Sequence, residues 1–569
     1  MQRFQDSSLT RADFPLVEGR QVVCTGGVVA TGPAAAARIG AGILAQGGNA
    51  MDAAAAAALA CAVLEPESVD LGGYILCAVV RKAGESRAWT LDANAVAPAR
   101  STARMFEVLP AEPGRYGINE SEYHCAVRGD VNVNGPLSVA VPGFMAGVGT
   151  LCERWGRLSW PQIVAPCRRL VDEGFPYATT AAAIRRRLPF LQPFEATCRH
   201  LMPKASLPEA ADVWHRRDLE TTLARLSAHG WQDFYSGELG RQIARFISEI
   251  GGILDPADMA SYAPRIEPAY ESTYRGHRIF AAALCSGGLT TLQILNFLDC
   301  FPSSMAMDAP EYWHRLGEVM KLAWQDRVRH LGDPHFNHVP IARLLAADYA
   351  HGRTETLRQF PRILGPQLPP GLAAPPGTIH VSAADSEGNL VAATLSQGLA
   401  FGSCVTVPGT GIILGHGMCR FDPRPGRPNS VAPGKRPLSN VSPLILSLAD
   451  RDIAVGTRGG RPIINVCAQL VHRIVDGSLS AAEVLPTPRL SVCDREPLEF
   501  LKFDFTDSVP QQVLDRLMAM GHHVIRKQEL VQGAGAAHFA EILRATGTVG
   551  AAGDTWAAGV NRNDASDHG

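Results

Sequence analysis

Hydrophobic and polar positions change their period along this chain. In the first third, helix-like and strand-like patterns alternate. The segment "GPAAAARIGAGILAQGGN" reads as a helix that stops at Gly47-Gly48, where glycine supplies the left-handed backbone of a helix end. The next segment, "MDAAAAAALACAVLEP", is apolar all round, which predicts a buried helix packed closely on its neighbours. "YILCAVVRK" and "RAWTLDANA" then read as strands. From about Val139 to Ala350 the helical period dominates, interrupted by one strand pair in "ESTYRGHRIFAAAL". Between His351 and Gly377 the pattern reads as a linker, and "FPRILGPQLPPGLAAPPG" within it is rich in proline and glycine with no apolar period. Beyond it come strands in "TIHVSAAD", "NLVAATLSQ", "GTGIIL", "SPLILSLAD" and "DIAVGTRGG". Helices in "RPIINVCAQLVHRIVDG" and "VPQQVLDRLMAMG" and a late strand in "HHVIRKQ" complete the pattern. Grouped strands with helices outside them predict a layered α+β arrangement.

Composition narrows the function classes. A chain of 569 residues exceeds one ordinary core and predicts several core-sized units or one large intertwined one. Hydrophobic residues make up 46% and charged residues 19%, a globular balance. The formal net charge is −2 and there is no basic tract, which argues against nucleic acid and anionic lipid as partners. The longest apolar run, from Ala53 to Leu64, is too short to span a bilayer. Thirteen scattered cysteines show no C-x-x-C pair and no zinc-ligand spacing, so reduced thiols are expected and a metal is not. The N-terminal residues lack the apolar core of a signal segment, which predicts a soluble cytoplasmic protein, or a periplasmic one if the true start lies upstream.

Candidate chemistry begins at Thr378, which opens a strand pattern straight after the proline-rich run. A β-branched residue is ordinary there. Cutting the Gly377–Thr378 bond would, however, give Thr378 a free α-amine, with an ordinary pKa of about 7.7–8.0, beside its own hydroxyl. Such an amine accepts the hydroxyl proton at neutral pH, so one residue holds nucleophile and base. Gly377 leaves the carbonyl before it sterically open. A second feature is "GTRGGRPIIN", where Gly459 and Gly460 precede Pro462 at a helix start. Backbone N–H groups at such a helix N-terminus suit an oxyanion, although an ordinary tight turn has the same pattern. Neither G-x-x-x-x-G-K-[ST] nor G-x-G-x-x-G after a strand occurs, so no phosphate cradle is expected.

Many segments in one order carry a family resemblance. They include "VVATGPAAAARIGAGILAQGGNAMDAAAAAALACAVLEP", "GPLSVAVPGFMAGVGTLCERWGRLSWPQIVAPCRRLVDEGFP", "GGILDPADMASY", "FGSCVTVPGTGIIL", "GKRPLSNVSP" and "GTRGG". From about Gly26 to about Asn561 the chain resembles the γ-glutamyltransferase (glutathione hydrolase) family of N-terminal-nucleophile hydrolases. The resemblance implies a four-layer αββα sandwich and self-cleavage before Thr378. A large chain, 1–377, would end in the linker of about 351–377 and stay with a small chain, 378–569. It implies Thr378 as nucleophile, Ser396 as the hydroxyl that hydrogen-bonds it, and Gly459 and Gly460 as oxyanion donors. The implied substrate is a γ-glutamyl or related small-molecule amide, with water or an amine as acceptor and no cofactor.

The substrate-recognition positions depart from the family pattern. The arginine that grips the glutamyl α-carboxylate falls on Asn94, and the serine pair reads Ser439-Asn440. The positions that hold the α-ammonium read Gly398, Gly417 and Arg420. A cation at Arg420 opposes an ammonium and suits a carboxylate. The same chemistry on a non-glutamyl, carboxylate-bearing amide is therefore a second reading. An unprocessed binding protein is a third, which the intact Thr378, Ser396, Gly459 and Gly460 argue against.

Overall fold

Two features set the local geometry at the start of the described chain. The helix Ala34–Ala45 ends where Gly47 turns left-handed at φ 89°. There the Gly48 N–H donates to the Ile43 carbonyl at 3.0 Å and the Gly47 N–H to Leu44 at 3.1 Å, closing the helix. The helix Ala50–Leu64 then begins with Asn49, whose Oδ1 accepts from the Met51 and Asp52 N–H groups, while the Asp52 carboxylate accepts from the Asn49 N–H. Such a reciprocal cap contributes about 1 kcal/mol. Because its alanines present no bulk, this helix is buried along nearly its whole length. The computed structural model describes residues 15–110, 125–303, 306–359, 376–492, 500–504, 509–526 and 535–562.

Among the described residues, thirteen strands form one hydrogen-bonded sheet. From one edge it runs Arg265–Pro268, Trp89–Asn94, Ile75–Arg81, Leu390–Leu399, Pro376–Asp385 and Gly27–Thr31. It continues through Thr548–Val560, Ala537–Leu543, Arg451–Thr457, Leu444–Ser447, His277–Ala281 and Tyr270–Tyr274, with Leu16–Cys24 also paired to Thr548–Val560. The sheet folds back on itself, so that its two halves stack. Ile75, Cys77, Val79 and Ala392 from one half form a buried cluster with Phe280, Ile445, Ala454 and Ala540 from the other. The alternation of strand side chains sends the opposite faces outward. One outer face packs with the helices Ala34–Ala45, Ala50–Leu64 and Phe144–Trp155. The other packs with Gly288–Asp299, Pro310–His330 and Pro462–Asp476. The result is the expected α-β-β-α order of layers.

The segments on either side of Gly377 interleave in this sheet. Pro376–Asp385 lies between Leu390–Leu399 and Gly27–Thr31, and the strand Thr548–Val560 pairs with both N-terminal strands. One intertwined unit, the second of the two size expectations, is what forms. The linker expectation needs correction at its start. Residues 351–359 belong to the helix Ala347–Gln359. Its inward face includes Thr354, a buried polar residue whose hydroxyl back-bonds to the Ala350 carbonyl at 2.8 Å, so an apolar period does not mark it. The proline-rich run at 360–375 lies outside the described residues.

Candidate active site

Strand pairing places four residues in one row. Thr378 faces Ser396, Ser396 faces Ile75 and Ile75 faces Asn94 across neighbouring strands. Between Gly377 and Thr378 the register slips by one residue, which makes Gln397 the extra residue of a β-bulge. Ser396 is the hub of the local hydrogen bonds. Its Oγ lies 2.9 Å from Thr378 Oγ1, donates to the Gly377 carbonyl at 2.6 Å and accepts from the Gly398 N–H at 2.9 Å. A serine has one proton, and the Gly377 carbonyl takes it, so the Thr378 hydroxyl is the donor in their pair. Gly377 is dictated by close approach: a Cβ there would sit 2.6 Å from the Glu67 carbonyl oxygen and 2.9 Å from that of Leu399.

Gly459 and Gly460 link the strand Arg451–Thr457 to the helix Pro462–Asp476, both with left-handed backbone at φ 119° and 71°. The structure joins this turn to the bulge through one segment. The Arg458 guanidinium lies 3.2 Å from Ser68 Oγ and 3.5 Å from the Glu65 carboxylate, and the Ser68 carbonyl accepts the Gln397 N–H at 2.9 Å. Beside it, Glu67 receives the hydroxyls of Thr179 and Thr180 at 2.7 and 2.6 Å. Burial, with the Glu65 charge adding, pushes the Glu67 carboxyl up to about 7.

The recognition positions are near but differ in what they offer. Arg327 Nη2 donates to the Ser439 carbonyl at 2.9 Å and to Asn440 Oδ1 at 3.2 Å. Asn440 Nδ2 is buried and finds no hydrogen-bond partner among the described residues. The Asn94 amide is taken up by main chain: Nδ2 donates to the Pro437 carbonyl at 2.6 Å and Oδ1 accepts the Ala95 N–H at 2.9 Å. Arg420 ends the short 3-10 turn Gly417–Arg420 and is buried. Space for side chains at the two glycines is already filled. A Cβ at Gly398, where φ is 96°, would meet His416 Nε2 at 2.0 Å. A Cβ at Gly417 would meet Ala95 and Ala140 Cβ atoms at 2.7 and 2.8 Å. The His416 Nδ1–H donates to the Val133 carbonyl at 3.0 Å and its Nε2 accepts the Leu399 N–H at 2.8 Å. Burial brings this imidazole down to about 3, so it stays neutral.

A family model described as gamma-glutamyltranspeptidase matches residues 36–563. The chain belongs to the gamma-glutamyltranspeptidase family. It is similar to the acylase ACY 1 proenzyme of Pseudomonas sp. (strain SE83), 31% identical over 520 residues and covering 90% of each chain. The glutathione hydrolase proenzyme of Bacillus subtilis (strain 168) is 29% identical over 517 residues, which cover 87% of this chain and 85% of its own. The crystal structure of cephalosporin acylase from Bacillus halodurans superposes with a TM-score of 0.81 at 27% identity, covering 96% of this chain and 97% of that one. As a family member the protein is an N-terminal-nucleophile amidohydrolase or acyltransferase, and the four layers above are the family fold.

Two site neighbours escape a reading by residue type. Tyr74 sits in "VDLGGYI", and its phenol oxygen lies 3.0 Å from Ser439 Oγ. His416 lies in "GHGM", with no spacing that marks it. Among the described residues, His314, Glu318 and His522 are grouped closely enough to ligate a metal, but Glu318 is already ion-paired with Lys321 at 2.7 Å. No helix among the described residues is long and apolar enough to cross a membrane.

Proposed function

We propose that this family member cuts itself between Gly377 and Thr378, and that Thr378 then serves as the nucleophile of a γ-glutamyl or related amide hydrolase. The observation that carries this reading is the triple contact of Ser396 with Thr378 Oγ1, the Gly377 carbonyl and the Gly398 N–H. In the uncut chain the Thr378 oxygen attacks the Gly377 carbonyl carbon while the Ser396 O–H holds the carbonyl oxygen. The C–N bond breaks, the acyl group passes to the threonine oxygen, and the nitrogen becomes a free amine. Water then hydrolyses the ester and leaves chains 1–377 and 378–569 in one intertwined fold. In turnover the new amine takes the Thr378 hydroxyl proton as the oxygen attacks the substrate amide. It returns that proton to the leaving amine, and water or an acceptor amine resolves the acyl-enzyme. Gly459 and Gly460 N–H groups hold the tetrahedral oxyanion. End-group analysis of purified protein tests the cut. A chain beginning at Thr378 is expected, and a Thr378→Ala protein is expected to stay one chain. A second chain starting elsewhere overturns the reading.

A second reading of the substrate rests on the filled spaces. His416 occupies what a side chain at Gly398 would need, and Ala95 and Ala140 do so at Gly417. With Arg420 in the same 3-10 turn as Gly417, the groups that would hold an α-ammonium are absent and a cation stands at one of their positions. This favours an acyl group that carries a carboxylate without the neighbouring amine. Release of aniline from a γ-glutamyl anilide and from a dicarboxylic acid mono-anilide of equal length separates the two. Faster turnover of the γ-glutamyl compound by the wild-type protein removes the second reading.

A further inference from the structure

Tyr74 is held in place from several sides. Its N–H donates to the Ser396 carbonyl at 3.1 Å, so its backbone is one hydrogen bond from the residue that contacts Thr378. Gly72 and Gly73 before it have no room for side chains: a Cβ at Gly72 would lie 2.5 Å from the Ile413 carbonyl oxygen. Gly417 closes over it, since a Cβ there would lie 3.6 Å from Tyr74 Cβ. At its far end the phenol oxygen is 3.0 Å from Ser439 Oγ. Ser439 is itself fixed, its N–H on the Cys285 carbonyl at 2.8 Å and its carbonyl on Arg327.

The electrostatics name the same surroundings. Burial pushes the Tyr74 phenol up, against the opposing pull of the Arg420 charge and of the Ser439 and Ser396 hydroxyls, with Cys419 adding to the rise. The phenol is therefore a neutral O–H donor across the working pH range. A cation and two serine hydroxyls surround it. Next to Ser439, Asn440 offers a buried Nδ2 that finds no acceptor among the described residues, and its orientation is set by Arg327 on Oδ1. Buried donors without acceptors carry a desolvation cost that an anionic ligand relieves.

We infer that Tyr74 is a specificity-determining residue, whose phenol closes the acyl pocket beside Ser439, Asn440 and Arg420 and donates to the far carboxylate of a short dicarboxylic acyl group. The inference rests on the proposed role of Thr378 and refines the substrate class of that site. The ring limits the length of the acyl chain and the hydroxyl selects its charge.

The test uses the self-processed full chain, a series of mono-anilides of dicarboxylic acids of increasing length, and a neutral acyl anilide of matched size. Tyr74→Phe removes one hydroxyl and keeps the ring. It is expected to raise KM for the best dicarboxylic substrate by at least about tenfold, and by clearly more than it raises KM for the neutral anilide. Tyr74→Ala is expected to move the preference to a longer acyl chain. The free dicarboxylic acids give a second readout, raising the Tm of the wild-type protein more than that of Tyr74→Phe at the same ligand concentration. Equal losses on neutral and anionic anilides overturn the inference, as does a Tm rise of equal size in both proteins or absent from both. End-group analysis of each protein reads the underlying proposal separately. A wild-type chain not cut at Thr378 sinks the nucleophile, whereas correct cutting with an unaltered Tyr74→Phe profile sinks only the role of Tyr74.

Discussion

The Ser396 hydroxyl donates to the Gly377 carbonyl oxygen at 2.6 Å across a β-bulge. In the proposed self-cleavage that hydrogen bond polarises the carbonyl that the Thr378 oxygen attacks, and the bulge bends the strand at the same peptide. Removing the donor is expected to slow self-cleavage without unfolding the sheet. Ser396→Ala should cut at least about tenfold more slowly than wild type, followed on a denaturing gel. Ser396→Thr, which keeps the O–H and adds a methyl, should cut at a rate close to wild type.

Gly377 has no space for a side chain. A Cβ at 2.6 Å from the Glu67 carbonyl oxygen forces the strand or the Glu65–Ser68 segment to move. Gly377→Ala should therefore lose stability by about 1–3 kcal/mol, the usual cost of overpacking. It should also cut slowly, because the Ser396 contact depends on the same backbone. Thermal unfolding together with a cleavage time course checks both effects, and a fully stable, fast-cutting variant would contradict the packing argument.

Asp70 and Arg216 form an ion pair with both side chains fully buried and 2.5 Å apart. Asp70 Oδ1 also accepts the Ile413 N–H at 3.0 Å, and Arg216 Nη1 reaches the Ala62 and Val63 carbonyls. The pair anchors the turn that leads to Tyr74. Arg216→Met leaves an uncompensated buried carboxylate and should cost about 3–5 kcal/mol, measured by denaturant unfolding. Replacing both partners by apolar residues should cost less than the single change.

Stability should rise with pH through the histidine range. Burial holds His416 and His538 down to about 3, and burial with the charge of Lys321 does the same for His522. Between about 3 and the ordinary histidine value of about 6.5 the unfolded chain binds these protons and the folded chain does not. Each such group then contributes roughly 1.4 kcal/mol per pH unit, present in full above about 6.5 and lost as pH falls. Glu67 works in the other direction. Raised to about 7, it is protonated in the folded chain and ionised in the unfolded one above the ordinary carboxylate range, so its contribution fades as pH rises. Three histidines outweigh one carboxyl, and unfolding free energy should climb from pH 4 to 6.5. Glu67→Gln should steepen that climb. A flat profile in both proteins would contradict the buried neutral imidazoles.

The periods of the chain by themselves determined the elements: the capped alanine helix, the strands on either side of Gly388, and the strand-turn-helix at Gly459-Gly460. The family resemblance, which runs through contiguous motifs that keep their order, is what joined Ser396 to Thr378 as a candidate pair. Only the tertiary structure decided what those elements face. That Tyr74 meets Ser439, that His416 fills the space beside Gly398, and that Asn94 is absorbed by Pro437 are contacts between residues far apart in sequence. The helix Ala347–Gln359 belongs with these, since its inner face is completed by a buried threonine. Local periodicity reports which side of an element is buried, and it carries no information on which distant side chain arrives there. That is set when the two halves of the sheet stack and their side chains must share one volume.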